Sequence, residues 1–249
     1  MRTFILLSML LFSARPGWLQ TPSASPATAQ APAPSSVVPV ARTDEGVLAR
    51  QTECLRRAKE SAPAPVVFVG DSITQAWESA GAAVWKERME PLGALDLGVS
   101  GDRTQHVLWR LAQAPLTRLE PRAIVLLIGT NNLGHGRSNA QETLLGVTRV
   151  IATLREQCPK SRILVLDIFP RGEQFNAMRG DLAQVNQALA RLDDGEHVRF
   201  LRVGDRFVEA DGSIRREIMP DFLHLSEAGY RIWADALVPE LESAPKAKR

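Results

Sequence analysis

The sequence predicts an α/β fold: a single-domain, three-layer α/β/α sandwich around a parallel sheet. Three observations predict it. Five short apolar runs recur along the chain, each continuous rather than alternating, as strands covered on both faces of a parallel sheet require. Helical patterns stand between the runs, and alternating β and α elements wind helices over both faces through right-handed crossovers. Each run ends at a glycine or runs into a proline, the residues that interrupt regular structure.

In chain order, Glu45–Lys59 reads as a helix leading into the first strand, Pro65–Val69, which ends at Gly70-Asp71. A weaker strand, Ala94–Leu97, ends at Gly98 and is followed by a helix over His106–Ala112. Ala123–Ile128 is the strongest run; it ends at Gly129, ahead of a helix over Ala140–Gln157. Ile163–Ile168 ends at Phe169-Pro170 and precedes a helix over Met178–Leu192. Val198–Val203 ends at Gly204. Ser226 then puts a cap-forming side chain ahead of the apolar stripe of a last helix, Ser226–Leu241. No internal repeat interrupts this order.

Hydrophobic residues make up 45% of the 249-residue chain and charged residues 23%, which suits a substantial core and excludes collagen-like, coiled-coil and generally disordered chains. Lys and Arg number 30 against 28 Asp and Glu, a net +2 that is too small for a nucleic-acid binder built on a basic field. Two cysteines are too few for a disulfide scaffold or a four-thiolate zinc site. Whether Cys54 and Cys158 pair stays open; a loop of that size would gain about 4–5 kcal/mol in the chain-entropy model.

Arg2, the apolar run from Phe4 to Phe12 and the Ala27-Thr28-Ala29 step have the layout of a secretory signal peptide over residues 1–29. The apolar run is shorter than the roughly 20 residues that span a bilayer. Residues 30–42, rich in Pro, Ala and Ser, read as a linker, residues 43–242 as the folded domain and residues 243–249 as a frayed basic tail. Cleavage would remove Arg2 and Arg15, so the basic surplus belongs to the export signal and the exported chain carries equal numbers of cations and anions.

In open sheets of this kind ligands bind at the carboxyl ends of the strands. Three strand ends and one C-terminal turn carry unusual residues. Gly70-Asp71-Ser72 puts a hydroxyl at the start of a helix, where backbone N–H groups point outward. Gly98-Val99-Ser100-Gly101 is a turn whose glycines let backbone approach a ligand. Gly129-Thr130-Asn131 offers an uncharged amide donor suited to a developing oxyanion. Asp221-Phe222-Leu223-His224 spaces a carboxylate and an imidazole three residues apart, on one face of a helical turn. Taken singly these are a helix cap, a tight turn, a capping amide and a structural histidine. Their joint occurrence in this order is specific, while Gly-x-Ser-x-Gly and the phosphate-binding glycine patterns are absent.

Together the four blocks resemble the SGNH (GDSL-type) hydrolase family. Within it, the chain resembles the catalytic subunits of platelet-activating-factor acetylhydrolase through Val66–Gln75, Leu97–Leu111, Ile128–Gly134, Phe169–Gly172 and Asp221–Tyr230. The resemblance implies a flavodoxin-like sheet of five parallel strands and ester hydrolysis with no metal and no cofactor. Carried over by position, it implies Ser72 as nucleophile, His224 as general base and acid, and Asp221 as its orienter. It implies an oxyanion hole formed by the Ser72 and Gly101 N–H groups and the Asn131 side chain. The implied substrate is a short-chain, acetyl ester of a glycan or a phospholipid; the subunits it resembles are cytosolic, whereas this chain reads as exported. An O-acyltransferase using the same serine, a non-catalytic carbohydrate-binding protein on the same scaffold and a nucleotide-binding module stay as alternatives, and a monomer and a homodimer are both open. Trp85 and Trp109 read as core residues, Arg103 and Arg171 as solvated surface arginines.

Overall fold

The computed structural model describes residues 32–61, 63–134 and 138–244. The leader read over 1–29, His135 and residues 245–249 of the basic tail lie outside the described residues. Five strands, β1 (Val66–Gly70), β2 (Ala94–Asp96), β3 (Ala123–Leu127), β4 (Arg162–Leu166) and β5 (Val198–Leu201), follow the five apolar runs. They form one sheet in the order β2-β1-β3-β4-β5 with every pairing parallel. This is the predicted three-layer α/β fold. The chain leaves β1 toward β2 on one side and returns to β3 on the other, so the loops after β1 and β3 diverge and open a crevice. Register sets the two strands level: Val66 faces Ala123 and Gly70 faces Leu127.

Eight α-helices occur among the described residues: α1 (Glu45–Glu60), α2 (Ser72–Gln75), α3 (Ala82–Arg88), α4 (Thr104–Gln113), α5 (Thr130–Gly134), α6 (Ala140–Gln157), α7 (Ala177–Leu189) and α8 (Glu227–Ser243). Side chains alternate across each strand, so one face buries Val67, Val69, Ile124, Leu126, Ile163 and Val165 against α1, α4, α6 and α7. The other face buries Val66, Phe68, Val125, Leu127, Leu164 and Leu166 against α3 and α8. This double covering explains why the strands read as unbroken apolar runs.

The second face holds an aromatic cluster. Trp77 sits with its ring centroid 4.5 Å from Tyr230 and 4.9 Å from Trp233, and half-buried Trp85 lies 5.1 Å from Phe68. Tyr230 also donates its hydroxyl to Ile73 O at 2.6 Å, which ties α8 to the short helix that carries Ser72. Trp109 on α4 is half-buried.

The segment read as a linker is partly built into the domain. A 3₁₀ turn over Ser35–Val37 buries Ser36 completely. Ser36 donates its hydroxyl to Glu142 O at 2.6 Å and accepts from the Thr104 hydroxyl at 2.7 Å, and Val40 N donates to Gln105 O at 3.1 Å. Gly146 makes the room: a Cβ there would meet Ser36 at 3.0 Å and the Thr104 hydroxyl at 2.3 Å. Other departures are smaller. Helix α4 starts at Thr104, two residues ahead of its sequence-read start, and α7 tightens to a 3₁₀ turn over Ala190–Leu192. Cys54 and Cys158 are both buried free thiols. No described helix is long and apolar enough to cross a membrane.

Candidate active site

Strand β1 delivers the chain to Asp71, whose carboxylate caps α2 by accepting from Ile73 N at 3.0 Å. Ser72 opens that helix, half-buried at the crevice. Gly70 is needed just before it, because a Cβ would lie 2.4 Å from Leu127 O and 2.0 Å from the Thr74 hydroxyl. Ser72 Oγ is 3.0 Å from His224 Nε2, and His224 Nδ1 is 2.7 Å from Asp221 Oδ2. The three residues expected at the centre of the site are thus brought into one line.

The Asp221–His224 pair does not stand on a helical turn as its spacing predicts. Phe222 takes a left-handed φ of 59°, and the segment forms a bend instead. Asp221 Oδ1 closes the bend by accepting from Leu223 N at 3.0 Å and His224 N at 2.7 Å, leaving Oδ2 for the ring. Ser226 then caps α8 through Gly229 N. Burial pushes the Asp221 carboxyl up, but the His224 ring and the two backbone N–H groups outweigh it and hold the group below its usual value. A carboxylate bound to Nδ1 fixes the imidazole tautomer and leaves Nε2 able to take a proton from the serine.

Asp71 differs sharply. Fully buried, it is pushed up to about 7 from an ordinary 3.8 by desolvation, against the opposing bond from Ile73 N. A raised carboxyl contributes its stability below its unfolded value and loses it as pH rises through about 7. Asp71→Asn keeps an oxygen for Ile73 N and cannot ionise. The melting temperature of the variant relative to the parent is expected to climb between about pH 4 and about pH 7 and to level off above that; a pH-independent difference would contradict this.

The turn after β2 packs against the same helix. Val99 N donates to Gly70 O at 3.1 Å, and Ser100 N donates to Gln75 Oε1 at 2.7 Å. Gly101 adopts φ 72°, the region glycine enters without penalty. Asn131, buried near the start of α5, donates from Nδ2 to Asp102 O at 3.0 Å, so one of its two amide N–H bonds is spent on this turn. The sequence-read residues Gly101 and Asn131 therefore meet at Asp102.

Three charged residues near the site were given no role in the sequence reading. Asp102 is fully buried and paired with Arg110, which also donates to Leu97 O at 2.9 Å. Arg171 is not the solvated arginine expected. It is half-buried and donates to the Thr130 hydroxyl at 3.3 Å, because Gly134 leaves space for its guanidinium. Burial lowers its pKa, opposed by Asp71 and Asp221. Arg103 is also half-buried, and its backbone N–H donates to His106 Nδ1 at 3.1 Å. All three lie in the stretches that carry the family resemblance, Leu97–Leu111 and Phe169–Gly172, but neither residue type nor periodicity gives their burial or their partners.

The pattern of the GDSL-like Lipase/Acylhydrolase family matches residues 68–232, a span that runs from β1 through the bend at His224 into α8. The chain belongs to that family. This GDSL-like acylhydrolase is an enzyme of the ester-hydrolase class. It is 39% identical over 166 residues to the platelet-activating factor acetylhydrolase IB subunit alpha1 of Homo sapiens, covering 66% of this chain and 70% of that one. To the alpha2 subunit of Mus musculus it is 36% identical over 189 residues, 74% of this chain and 80% of the other. The hydrolase also shares its fold with an acetylxylan esterase from Geobacillus stearothermophilus, with a TM-score of 0.57 at 16% identity over 77% of this chain and 100% of that one.

Proposed function

We propose that this GDSL hydrolase cleaves short-chain, chiefly acetyl, carboxylic esters through a Ser72–His224–Asp221 triad and an acyl-enzyme. The observation that carries the reading is the hydrogen-bonded line from Ser72 Oγ to His224 Nε2, 3.0 Å, and from His224 Nδ1 to Asp221 Oδ2, 2.7 Å. His224 takes the Ser72 proton as the hydroxyl attacks the ester carbonyl. The tetrahedral oxyanion is received by the Ser72 and Gly101 N–H groups and the Asn131 amide. His224 then protonates the departing alcohol, and water repeats the cycle on the acyl-serine to release the acid and restore the hydroxyl.

Asn131→Ala removes one donor to the oxyanion. It should lower kcat by about 10²–10³-fold, or roughly 3–4 kcal/mol, and leave a measurable enzyme. A steady-state assay with para-nitrophenyl acetate checks it; an unchanged kcat would remove Asn131 from the hole.

Acetyl is favoured by the names of the similar proteins, which include acetylhydrolase subunits and an acetylxylan esterase. The alcohol is the finer question, and we propose a glycan or a phospholipid. Acetate release from acetylated xylo-oligosaccharide is to be compared with release from a short-chain acetyl glycerophospholipid; release from neither would refute the acetyl-ester reading. Candidate sugar acceptors added to the same assay would expose acyl transfer. The apolar N-terminal leader supports export, and maturation of the expressed chain to a shorter, extracytoplasmic form is its test.

A further inference from the structure

We propose that Arg42, supplied by the segment ahead of the catalytic fold, is a positioning residue that aims the Gly101 N–H at the oxyanion. The inference rests on the oxyanion hole proposed above and adds a residue that lies outside the family-matched span, residues 68–232.

The geometry turns on one peptide unit. The Ser100 carbonyl and the Gly101 N–H belong to the same planar trans peptide and point in opposite directions. Arg42 Nη1 donates to Ser100 O at 3.0 Å, so pinning the carbonyl on one side fixes the N–H on the other. The same nitrogen is 3.3 Å from Asp102 Oδ1, on the far side of Gly101. Arg42 therefore bridges the residues that flank the glycine. Its guanidinium also covers Gly101, since a Cβ there would lie 3.2 Å from Nη1. Without that grip, a glycine at φ 72° is free to let the peptide plane rotate. A cation beyond the carbonyl further polarises the peptide, which strengthens its N–H as a donor in a low-dielectric site.

Asp102 carries the effect to the second donor. Its carboxylate is paired with Arg42 and Arg110, and its carbonyl accepts the Asn131 amide. Arg42 itself is held. Its Nε donates to Asp44 Oδ2 at 2.7 Å, its backbone N donates to Gln51 Oε1 at 3.3 Å, and its side chain is only 13% exposed. Upstream, Ser36 and Val40 anchor the arm to α4 and α6. Arg110 keeps the buried Asp102 charge paired when Arg42 is absent, so an Arg42 variant can fold while its turn loosens.

The test uses the full chain. Arg42→Met should lower kcat on para-nitrophenyl acetate about 10–100-fold with KM changed by less than about threefold, since the lost alignment matters in the transition state. Arg42→Lys keeps the charge without the fork and should fall between the two. Millimolar guanidinium should restore part of the kcat of Arg42→Ala, and methylammonium should not. In an Asn131→Ala background, Arg42→Met should cost clearly less than it does alone, because both act on one oxyanion hole. An unchanged kcat, losses that multiply, or a loss matching the fraction unfolded by circular dichroism at the assay temperature would overturn the proposal. Ser72→Ala run alongside separates the failures: if it retains activity the triad reading falls, and if it alone is dead only the role of Arg42 falls.

Discussion

Ser72→Ala is expected to lower kcat on an acetate ester by about 10⁶-fold, the scale seen when the nucleophile of another serine hydrolase is removed. The change deletes one half-buried hydroxyl and leaves Asp71, Ile73 and Tyr230 to hold α2 as before. Melting temperature should therefore move little, which keeps the kinetic loss interpretable. The oxyanion donors survive the substitution, so a residual rate above that of water is expected, of about 10³-fold. The measurement is single-turnover and steady-state kinetics on freshly purified variant, with the melting curve recorded beside it. A loss of tenfold or less would mean that water, and not Ser72, attacks the ester.

Asp221→Asn should cost about 10⁴-fold in kcat with the fold retained. The asparagine oxygen can still accept from Leu223 N and His224 N, so the bend survives. Its nitrogen then stands where Oδ2 faced the ring at 2.7 Å, and an amide N–H there demands an acceptor at Nδ1. That places the imidazole proton on Nε2, facing Ser72, where it blocks proton abstraction. The loss should appear in kcat far more than in KM. If the variant kept most of its activity, Asp221 would be a bend-forming residue with no part in the chemistry.

Much of this molecule is legible from its sequence, and the illegible parts have a physical cause. The strands are readable because burial on both faces of β1, β3 and β4 forces unbroken apolar runs such as Val66–Val69 and Ile124–Leu127. The helix α6 is readable because eighteen residues of apolar stripe repeat from Ala140 to Gln157. The helix α3, seven residues long, buries only Val84 completely and leaves no such stripe. Residue types at the strand ends and the C-terminal turn, taken together, single out Ser72, Asn131, Asp221 and His224 as candidates. Their backbone does not follow from type: a left-handed Phe222 cannot be read from a phenylalanine, so the bend at His224 was expected as a helical turn. The largest departure is the arm. Its Pro, Ala and Ser content describes a spacer, while the contacts of Ser36 and Arg42 depend on gaps left by Gly146 and Gly101 far along the chain. Composition cannot register a partner separated by more than fifty residues, as Arg42 is from Ser100.

Trapping the acyl-enzyme tests the central claim most directly. The protein is mixed with excess para-nitrophenyl acetate, quenched in acid within the first turnover, and analysed by intact mass and peptide mapping. One added acetyl group on the peptide containing Ser72, absent from Ser72→Ala, is the expected result. Product formed in that turnover with no acetyl on Ser72, or with the acetyl on another residue, would contradict it.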